Sequence, residues 1–309
     1  MSTLVTGGAG FIGRWVVKKL LSKRHRTVAL DNLSNGSIEN IREFLENPNF
    51  AFVKGDILNQ KKLGATFKRD IDACIHLAAH INVQESIDHP ERAFANNVVG
   101  TYNVLDECRK RDIKLVLVGT CMVYDAAISK PINEDHPLKP ASPYASSKLA
   151  AEEFAMSYFH SYGLPVAITR PFNSYGPFQK SNLEGGVVSI FIKKSLGRKP
   201  LLAFGDGKQT RDLLYVEDCA DFIVKAANSK AAVGEVINAG SGKDISINDL
   251  ALMICNDKSK IKHVSHPHPR SEIRTLVCDY SKAKKILGWK PKTSLKEGIK
   301  RTTQWLAST

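Results

Sequence analysis

Short apolar runs alternate with segments whose apolar residues recur at helical spacing through the first half of the chain. Such alternation predicts an α/β fold with a doubly wound parallel sheet, whose ligand sites lie at the carboxyl ends of the strands. After Pro171 the pattern becomes irregular, which indicates a smaller and loop-rich C-terminal lobe. The runs that predict strands are residues 4–5, 27–30, 51–53, 73–77, 115–118 and 166–169.

The first predicted strand leads into a glycine-rich turn at residues 6–13, and a helix is predicted to follow from Trp15. Its glycines fit both G-x-G-x-x-G and G-x-x-G-x-x-G spacing. Glycines let the backbone approach a phosphate closely, and a helix N-terminus presents free N–H groups and a partial positive charge. A glycine motif alone is weak evidence, but here it follows a strand and precedes an acid, Asp31, by about 20 residues. The sequence therefore predicts a Rossmann dinucleotide-binding fold.

Asp31 ends the second predicted strand, where its carboxylate would accept hydrogen bonds from the adenosine ribose hydroxyls. The alternative is a turn residue at a strand end. No arginine follows Asp31 to bind a 2′-phosphate, which favours NAD over NADP. After the next strand, Asp56 is a candidate acceptor for the adenine amino group, and Asn97 lies in a helix predicted from about residue 90 to 111. Capping or turn chemistry is the alternative for Asp56 and Asn97.

Tyr144 and Lys148 stand four residues apart on one face of a helix that Ser142 and Pro143 are suited to start. A phenol is a poor base because its ordinary pKa is about 10. A cation about 4 Å away would lower that pKa by about 3 at an effective dielectric constant near 20. Lys148, helped by an oxidised nicotinamide ring, would thus bring the pKa of Tyr144 close to neutral. Tyr144 would then act as general base on a sugar hydroxyl, assisted by Thr120 at the end of the preceding strand. The alternative is an ordinary Tyr and Lys on a helix surface.

The composition is that of an ordinary globular protein: 43% of the 309 residues are hydrophobic and 24% are charged. The formal net charge of +13 is spread along helices and loops, so we expect a solvated surface and no nucleic-acid binding. Six scattered cysteines without C-x-x-C spacing indicate a reducing, cytoplasmic setting and no structural metal. We expect no membrane span and no signal peptide.

These features occur together with further motifs along nearly the whole chain, which resembles the extended short-chain dehydrogenase/reductases of the nucleotide-sugar epimerase/dehydratase type. That resemblance implies bound NAD, a nucleotide-sugar substrate with UDP favoured, and a homodimer formed through helices near residues 91–111 and 143–162. The alternative is that the apolar faces of these helices pack in the core of a single chain. The further motifs lie at residues 31–34, 55–57, 76–79, 170–177, 205–212, 215–218 and 287–291.

The resemblance also implies a division of the chain and a set of binding residues. An NAD-binding domain would span residues 1–170, with a returning segment at about 212–240, and a nucleotide-sugar-binding lobe would span 171–309. The implied cofactor-binding residues are Gly7, Gly10, Phe11, Ile12, Gly13, Asp31, Asn32, Ser34, Asn35, Gly36, Asp56, Ile57, Leu77, Ala78, Ala79, Asn97, Tyr144 and Lys148. The implied substrate-binding residues are Val83, Thr120, Cys121, Met122, Tyr144, Asn173, Val188, Phe204, Arg211 and Arg270, with Arg274 a rival for the position of Arg270.

Cys121 and Met122 depart from the acidic pair that 4,6-dehydratases of this family carry after Thr120. Thr-Cys resembles the enzymes that form 5,6-unsaturated UDP-GlcNAc, in which a Glu follows the Cys. A thiol can donate a proton whereas a thioether cannot, so Cys121 is a candidate acid and Met122 cannot replace the missing base. Alternatively, both residues only pack against the sugar.

Three functions follow from these residues. The first is an NAD-dependent dehydratase acting on UDP-GlcNAc or its 5,6-ene derivative. The second is a UDP-hexose 4-epimerase acting on UDP-glucose or UDP-GlcNAc, which the uncharged pair at 121–122 suggests. The third is a non-catalytic NAD-binding regulator, against which the intact Thr120, Tyr144 and Lys148 speak.

Overall fold

A computed structural model of the chain describes residues 1–68, 70–125, 130–181 and 186–308. Its larger sheet has seven parallel strands in the order β10-β6-β5-β4-β1-β2-β3. The described strands are β1 (Ser2–Thr6), β2 (Arg26–Asp31), β3 (Phe50–Lys54), β4 (Ala73–His76), β5 (Lys114–Val118), β6 (Val166–Pro171), β7 (Asn173–Tyr175), β8 (Leu201–Phe204), β9 (Thr210–Tyr215), β10 (Val236–Ala239), β11 (Asp244–Ser246) and β12 (Ile261–Val264).

Helices cover both faces of this sheet, and each of the six predicted strand runs overlaps a strand that lies in it. The described helices are α1 (Phe11–Ser22), α2 (Gln60–Phe67), α3 (Val83–Asp88), α4 (Pro90–Ala93), α5 (Gly100–Arg109), α6 (Pro143–Tyr162), α7 (Val187–Leu196), α8 (Val216–Asn228), α9 (Ile247–Cys255), α10 (Ser281–Leu287) and α11 (Leu295–Ser308). A π-helical turn, Phe94–Val99, joins α4 to α5. The predicted doubly wound α/β fold is therefore confirmed.

Burial on both faces explains why the central strands are almost continuously apolar. Every residue of β1 is buried. One core layer lies under α1 and α8 and includes Val16 and Phe222. The opposite layer lies under α2, α5 and α6 and includes Leu63 and Leu105.

The C-terminal part of the chain builds a smaller α/β unit and also returns to the large sheet. Strands β11, β9 and β7 form one small sheet, and β12 pairs with β8 in another. Helices α7 and α9 cover them around a core that includes Phe191, Leu213 and Leu250. Between β9 and β11 the chain runs back through α8, which packs on α1, and then through β10, which pairs with β6.

Among the described residues, no helix is both long enough and apolar enough to cross a membrane.

Candidate active site

Two adjoining cavities lie where the carboxyl ends of the large-sheet strands face the smaller unit. The first surrounds the glycine turn, and the second lies between α6 and the smaller unit. Phe11, Ile12, Leu77 and Gln179 are among the residues that line both cavities, so the two share a wall.

The glycine turn forms a cradle that side chains would fill. Gly7 has a φ of 71°, and a Cβ there would lie 2.7 Å from the backbone nitrogen of Ala78. A Cβ on Gly13 would lie 2.0 Å from the carbonyl oxygen of Gly7. Helix α1 then begins after Gly10 with no side-chain cap, so its first N–H groups remain available. This geometry fits a dinucleotide pyrophosphate at a helix N-terminus.

Most of the predicted cofactor-binding residues surround this cradle. The carboxylate of Asp31 accepts hydrogen bonds from the backbone nitrogens of Ala9 (3.0 Å) and Leu33 (2.8 Å). Burial raises the pKa of Asp31, and these two N–H groups oppose that shift. The lining of the first cavity includes Gly7, Gly10, Phe11, Ile12, Gly13, Asp31, Asn32, Ser34, Asn35, Gly36, Asp56, Ile57, Leu77, Ala78 and Ala79.

The structure places Asn97 outside the lining of both cavities. Its Nδ2 donates to the carbonyl oxygen of His80 (3.0 Å) and to Oγ of Ser147 (2.9 Å), and its Oδ1 accepts from the His80 nitrogen (2.7 Å). Buried in the π-helical turn, Asn97 ties the loop after β4 to α6. The neighbouring Asn96 faces the first cavity instead.

Tyr144, Lys148, Thr120 and Cys121 all line the second cavity. Local chemistry fixes the helix that carries the first two. The Ser142 hydroxyl accepts from the Ala145 nitrogen as an N-cap, with Pro143 at the first helical position. The predicted start of this helix is therefore confirmed.

The hydroxyl group of Thr120 lies close enough to the phenol of Tyr144 to favour its ionised form. Burial raises the pKa of Tyr144 to about 12, and the Thr120 hydroxyl opposes this shift. Burial also lowers the pKa of Lys148 to about 8. Its ammonium donates to the Val118 carbonyl at 2.7 Å.

The expectation that Lys148, helped by an oxidised nicotinamide ring, brings the pKa of Tyr144 close to neutral concerns the NAD-bound protein and stays a prediction. In the chain alone, burial is the largest influence on the phenol, and Cys121 and Glu152 also raise its pKa. Lys148 is bound to a backbone carbonyl.

Cys121 is 2% exposed and lies at the turn after β5, beside Thr120. Burial raises the pKa of its thiol to about 12; Asp212 acts in the same direction and Arg211 opposes it. The thiol is therefore protonated at neutral pH, so it can donate a proton and cannot serve as a base. Met122 lines the same cavity.

Four further residues that the sequence assigns to substrate binding line the second cavity. One comes from α3 and three come from the smaller unit: Val83, Asn173, Phe204 and Arg211. The buried Oδ1 of Asn173 has no hydrogen-bond partner within the protein, which fits a ligand contact. Arg211 pairs with Glu272, which also lines the cavity, and donates to the carbonyl of Ile273 at 2.9 Å.

Two other predicted substrate residues lie elsewhere. Val188 belongs to the core of the smaller unit, while its neighbour Val187 lines the cavity, because packing against β8 and α9 sets the rotation of α7. Arg270 is exposed and lies outside both cavity linings. Its rival Arg274 is 70% exposed in an ion pair with Asp206.

Sequence reasoning missed Lys194, His266 and His268, which line the second cavity. Lys194 is half-buried in the last turn of α7, where a basic residue ordinarily indicates only a helix C-terminus. The two histidines follow β12, and their rings are 4.8 Å apart. The described residues contain no group of three or more His, Cys, Asp or Glu suited to hold a metal.

Comparison with known proteins agrees with this geometry. The family model described as GDP-mannose 4,6 dehydratase matches residues 4–302. A putative UDP-glucose 4-epimerase from Methanocaldococcus jannaschii is 40% identical, with 98% of this chain and 97% of that protein covered. Other relatives are named as dTDP-glucose 4,6-dehydratase and as UDP-glucuronic acid decarboxylases.

Two solved structures have the same fold as this chain. Pal from Bacillus thuringiensis is 54% identical, with a TM-score of 0.97, and the match covers 100% of this chain and 99% of that one. DesIV from Streptomyces venezuelae, a dTDP-glucose 4,6-dehydratase crystallised with NAD, is 30% identical with a TM-score of 0.94. That match covers 100% of this chain and 98% of DesIV.

Proposed function

Because the chain belongs to the GDP-mannose 4,6 dehydratase family of NAD-dependent nucleotide-sugar epimerases and dehydratases, we propose that it converts a UDP-sugar through a transient 4-keto intermediate. The preferred substrate is UDP-GlcNAc or, more narrowly, its 5,6-ene derivative. The observation that carries this proposal is the position of the buried Cys121 beside Thr120, in the cavity that also holds Tyr144.

NAD, held by the glycine turn and Asp31, supplies reversible hydride transfer at the sugar. Tyr144 removes the proton from the 4-hydroxyl group, and Thr120 holds that hydroxyl through its own hydrogen bond. Lys148 stabilises the phenolate electrostatically. The presence of Tyr144, Thr120 and Lys148 in one cavity lining supports these roles.

Cys121 distinguishes between the two candidate substrates. Loss of water from UDP-GlcNAc needs a base that removes the C5 proton, and neither a buried neutral thiol nor a thioether provides one. A 5,6-ene needs no such base. Oxidation at C4 makes it an enone, which accepts hydride at C6 and a proton at C5. The Cys121 thiol is suited to give that proton.

The atoms balance along this route. The substrate loses a proton from the 4-hydroxyl and a hydride from C4, and it gains a hydride at C6 and a proton at C5. The product is a 4-keto-6-deoxy sugar with the mass of the 5,6-ene. Tyr144 holds one proton more and Cys121 one fewer, so a solvent proton exchange restores both groups.

The nucleotide diphosphate is assigned to the end of the cavity formed by the smaller unit. Arg211 offers a guanidinium fork suited to phosphate oxygens, although Glu272 already shares it. The same lining also includes Lys148 and Lys194. Lys148 is assigned to the base, so we give Lys194 the role that sequence reasoning gave to Arg270. Phe204 and the β8 backbone lie beside it, where the base of the nucleotide would pack.

A UDP-hexose 4-epimerase is the second candidate, supported by the names of several relatives. In that reaction the 4-keto sugar turns and accepts hydride on its other face, and Cys121 and Met122 only pack against C6. The cavity lining is compatible with both reactions because Tyr144, Thr120 and Lys148 serve each of them.

Product analysis separates the two candidates. The NAD-loaded protein is incubated with UDP-GlcNAc, with its 5,6-ene and with UDP-glucose, and products are read by mass and by NMR. We expect the 5,6-ene to yield a product of equal mass with a new C6 methyl signal. A 4-epimer that retains its 6-hydroxyl group, formed from UDP-glucose or UDP-GlcNAc, would establish the epimerase instead.

We also assign a homodimer to this enzyme, formed through α5 and α6. Four aromatic side chains on or next to these helices remain 42–60% exposed: Phe94, Tyr102, Phe154 and Tyr162. Exposed aromatic residues clustered on two adjacent helices suit contact with a second copy. Light scattering of the wild type and of Phe154→Glu tests this; a monomeric wild type would refute it.

A further inference from the structure

We propose that Phe178 retains bound NAD at the wall of the first cavity, and that a clamp of side chains from α1 and α11 positions its ring. The clamp consists of Arg14, Trp15 and Trp305. The proposal goes beyond the proposed function, because it concerns NAD alone and holds for both candidate reactions. Each of those reactions regenerates NAD within its cycle, so the cofactor need not leave between turnovers.

The segment of residues 177–180, which follows β7, forms part of the wall of the first cavity. Phe178, Gln179 and Lys180 line that cavity together with the glycine turn. Gln179 also lines the second cavity, so the segment borders both. A displacement of this segment would therefore open the cavity in which the glycine turn and Asp31 are expected to hold NAD.

The backbone of Phe178 has a conformation that the residue does not favour by itself. Its φ is 71°, in the left-handed region. A bulky side chain seldom adopts this region, and such a conformation persists only where the surrounding structure imposes it. The position of Phe178 therefore depends on contacts from other parts of the chain.

The three clamp residues supply these contacts. The guanidinium carbon of Arg14 lies 3.8 Å from the centre of the Phe178 ring. The ring of Trp305 is 4.9 Å away between centres, and the ring of Trp15 is 6.1 Å away in an edge-to-face arrangement. The Trp15 indole also donates to the carbonyl oxygen of Pro177 at 3.2 Å. The clamp thus holds both the ring of Phe178 and the backbone beside it.

Arg14 connects the clamp directly to the glycine turn. It follows Gly13 and is 2% exposed. Its Nε donates to the carbonyl oxygen of Asn40 at 2.7 Å, and its guanidinium group pairs with Glu43. Burial lowers the pKa of Arg14 to about 10, so the group is charged at neutral pH. The cation that faces Phe178 is therefore fixed to the same turn that is expected to bind the pyrophosphate.

Trp305 is the part of the clamp that can be changed without altering the cofactor site. It lies near the end of α11, outside the lining of both described cavities. An effect of Trp305 on NAD release must therefore pass through Phe178. The alternative is that Phe178 serves only the core, because its ring also packs against the core layer under α1. A core role alone predicts lower stability with an unchanged rate of NAD release.

The test measures how fast radiolabelled NAD leaves the loaded protein in an excess of unlabelled NAD, with no sugar present. We expect Phe178→Ala to release NAD about tenfold faster or more. Phe178→Tyr keeps the aromatic ring and should release NAD at a rate close to that of the wild type. Trp305→Leu should also speed release, by less than Phe178→Ala.

Leu306→Ala is the matched control on α11. Leu306 packs against the core of the smaller unit, so its truncation should lower the Tm of the protein and leave the release rate unchanged. If Phe178→Ala does not fold, Phe178→Leu replaces it, since leucine keeps an apolar side chain and lacks the aromatic face. Phe178→Leu is expected to change the release rate in the same direction.

A double variant tests whether Trp305 acts through Phe178. On the Phe178→Ala background, adding Trp305→Leu should not increase the release rate further, because the ring that Trp305 positions is gone. A Trp305→Leu effect that persists in full on that background would overturn the proposal.

Three other results would also overturn it. They are a wild-type release rate in the folded Phe178 variant, a wild-type release rate in Trp305→Leu, and an increase in Leu306→Ala equal to that in Trp305→Leu. Because no sugar is present, none of these results bears on the substrate assignment. Conversely, a failure of the substrate assignment leaves this measurement valid.

Discussion

Lys148 donates its hydrogen bond to the carbonyl oxygen of Val118 at 2.7 Å, two residues before Thr120. The lysine thus contacts the end of β5, and it lines the same cavity as Tyr144. Burial raises the pKa of Tyr144 to about 12, so its phenolate form is scarce at neutral pH. The proposed reaction therefore needs positive charge near that ring.

The first prediction concerns the base itself. Replacing Tyr144 with Phe removes the proton acceptor, so turnover should fall by about 10²- to 10⁴-fold. NAD affinity should change little, because the pyrophosphate and ribose contacts are assigned to residues 7–36. Fluorescence titration with NAD and a turnover assay on one preparation check both parts. Turnover within a factor of two of the wild type would remove Tyr144 from its role.

The second prediction concerns Cys121. Cys121→Ala should reduce conversion of the 5,6-ene by about 100-fold, because the C5 proton donor is lost. Cys121→Ser keeps a hydroxyl group, which is a weaker proton donor. Its rate of conversion should lie between those of the wild type and Cys121→Ala. Cys278→Ala is the control, since Cys278 is a buried thiol that does not line either cavity. Unimpaired conversion by Cys121→Ala would leave Cys121 with a packing role only.

The third prediction concerns Lys194, which we propose binds the diphosphate together with Arg211. Lys194→Met should raise KM for the UDP-sugar about tenfold, which corresponds to about 1.4 kcal/mol, with kcat nearly unchanged. Lys193→Met, an exposed neighbour on α7, serves as the control. Steady-state kinetics of both variants measure the KM and kcat values that test this prediction. A KM that rises only when Arg270 is replaced would return the role to that arginine.

The fourth prediction concerns the glycine cradle. In Gly13→Ala the new methyl group would lie 2.0 Å from the Gly7 carbonyl oxygen, so the turn must open. We expect at least about a tenfold loss of NAD affinity. Gly197→Ala adds a methyl group 3.4 Å from its nearest neighbour, at a φ outside the left-handed region, and should bind NAD normally. Equal affinity for both variants would contradict the assignment of the cradle.

The fifth prediction is a pH dependence of stability. Burial lowers the pKa of His76 from 6.5 to about 3, so below pH 6.5 the unfolded chain binds a proton that the folded protein does not. Stability is then lost as the pH falls toward 3, by about 1.4 kcal/mol per pH unit from this residue. Denaturant unfolding of the wild type and of His76→Gln should show a shallower acid dependence in the variant. If the free energy of unfolding falls equally steeply with pH in both proteins, His76 does not contribute to the acid dependence.

Local chemistry made part of this molecule predictable from its sequence. The glycine turn and the start of α6 at Ser142 and Pro143 depend on residues adjacent in the chain, and the structure has both. Apolar runs buried on two faces likewise identified the strands. These features need no knowledge of distant contacts.

The misassigned residues depend on tertiary packing. Val188 and Val187 are adjacent on α7, and only the packing of that helix on β8 and α9 determines which one faces the cavity. Arg270 follows β12, whose path is set by its pairing with β8. Lys194 belongs to no motif, and only the fold brings it to the cavity.

The most direct test of the account is an NMR experiment on the 5,6-ene of UDP-GlcNAc with NAD-loaded protein in deuterated water. The account predicts a 4-keto-6-deoxy product that carries one deuteron at C5 and an undeuterated methyl group, with Tyr144→Phe inactive. Recovery of the 5,6-ene unchanged, alongside 4-epimerisation of UDP-glucose or UDP-GlcNAc, would contradict it.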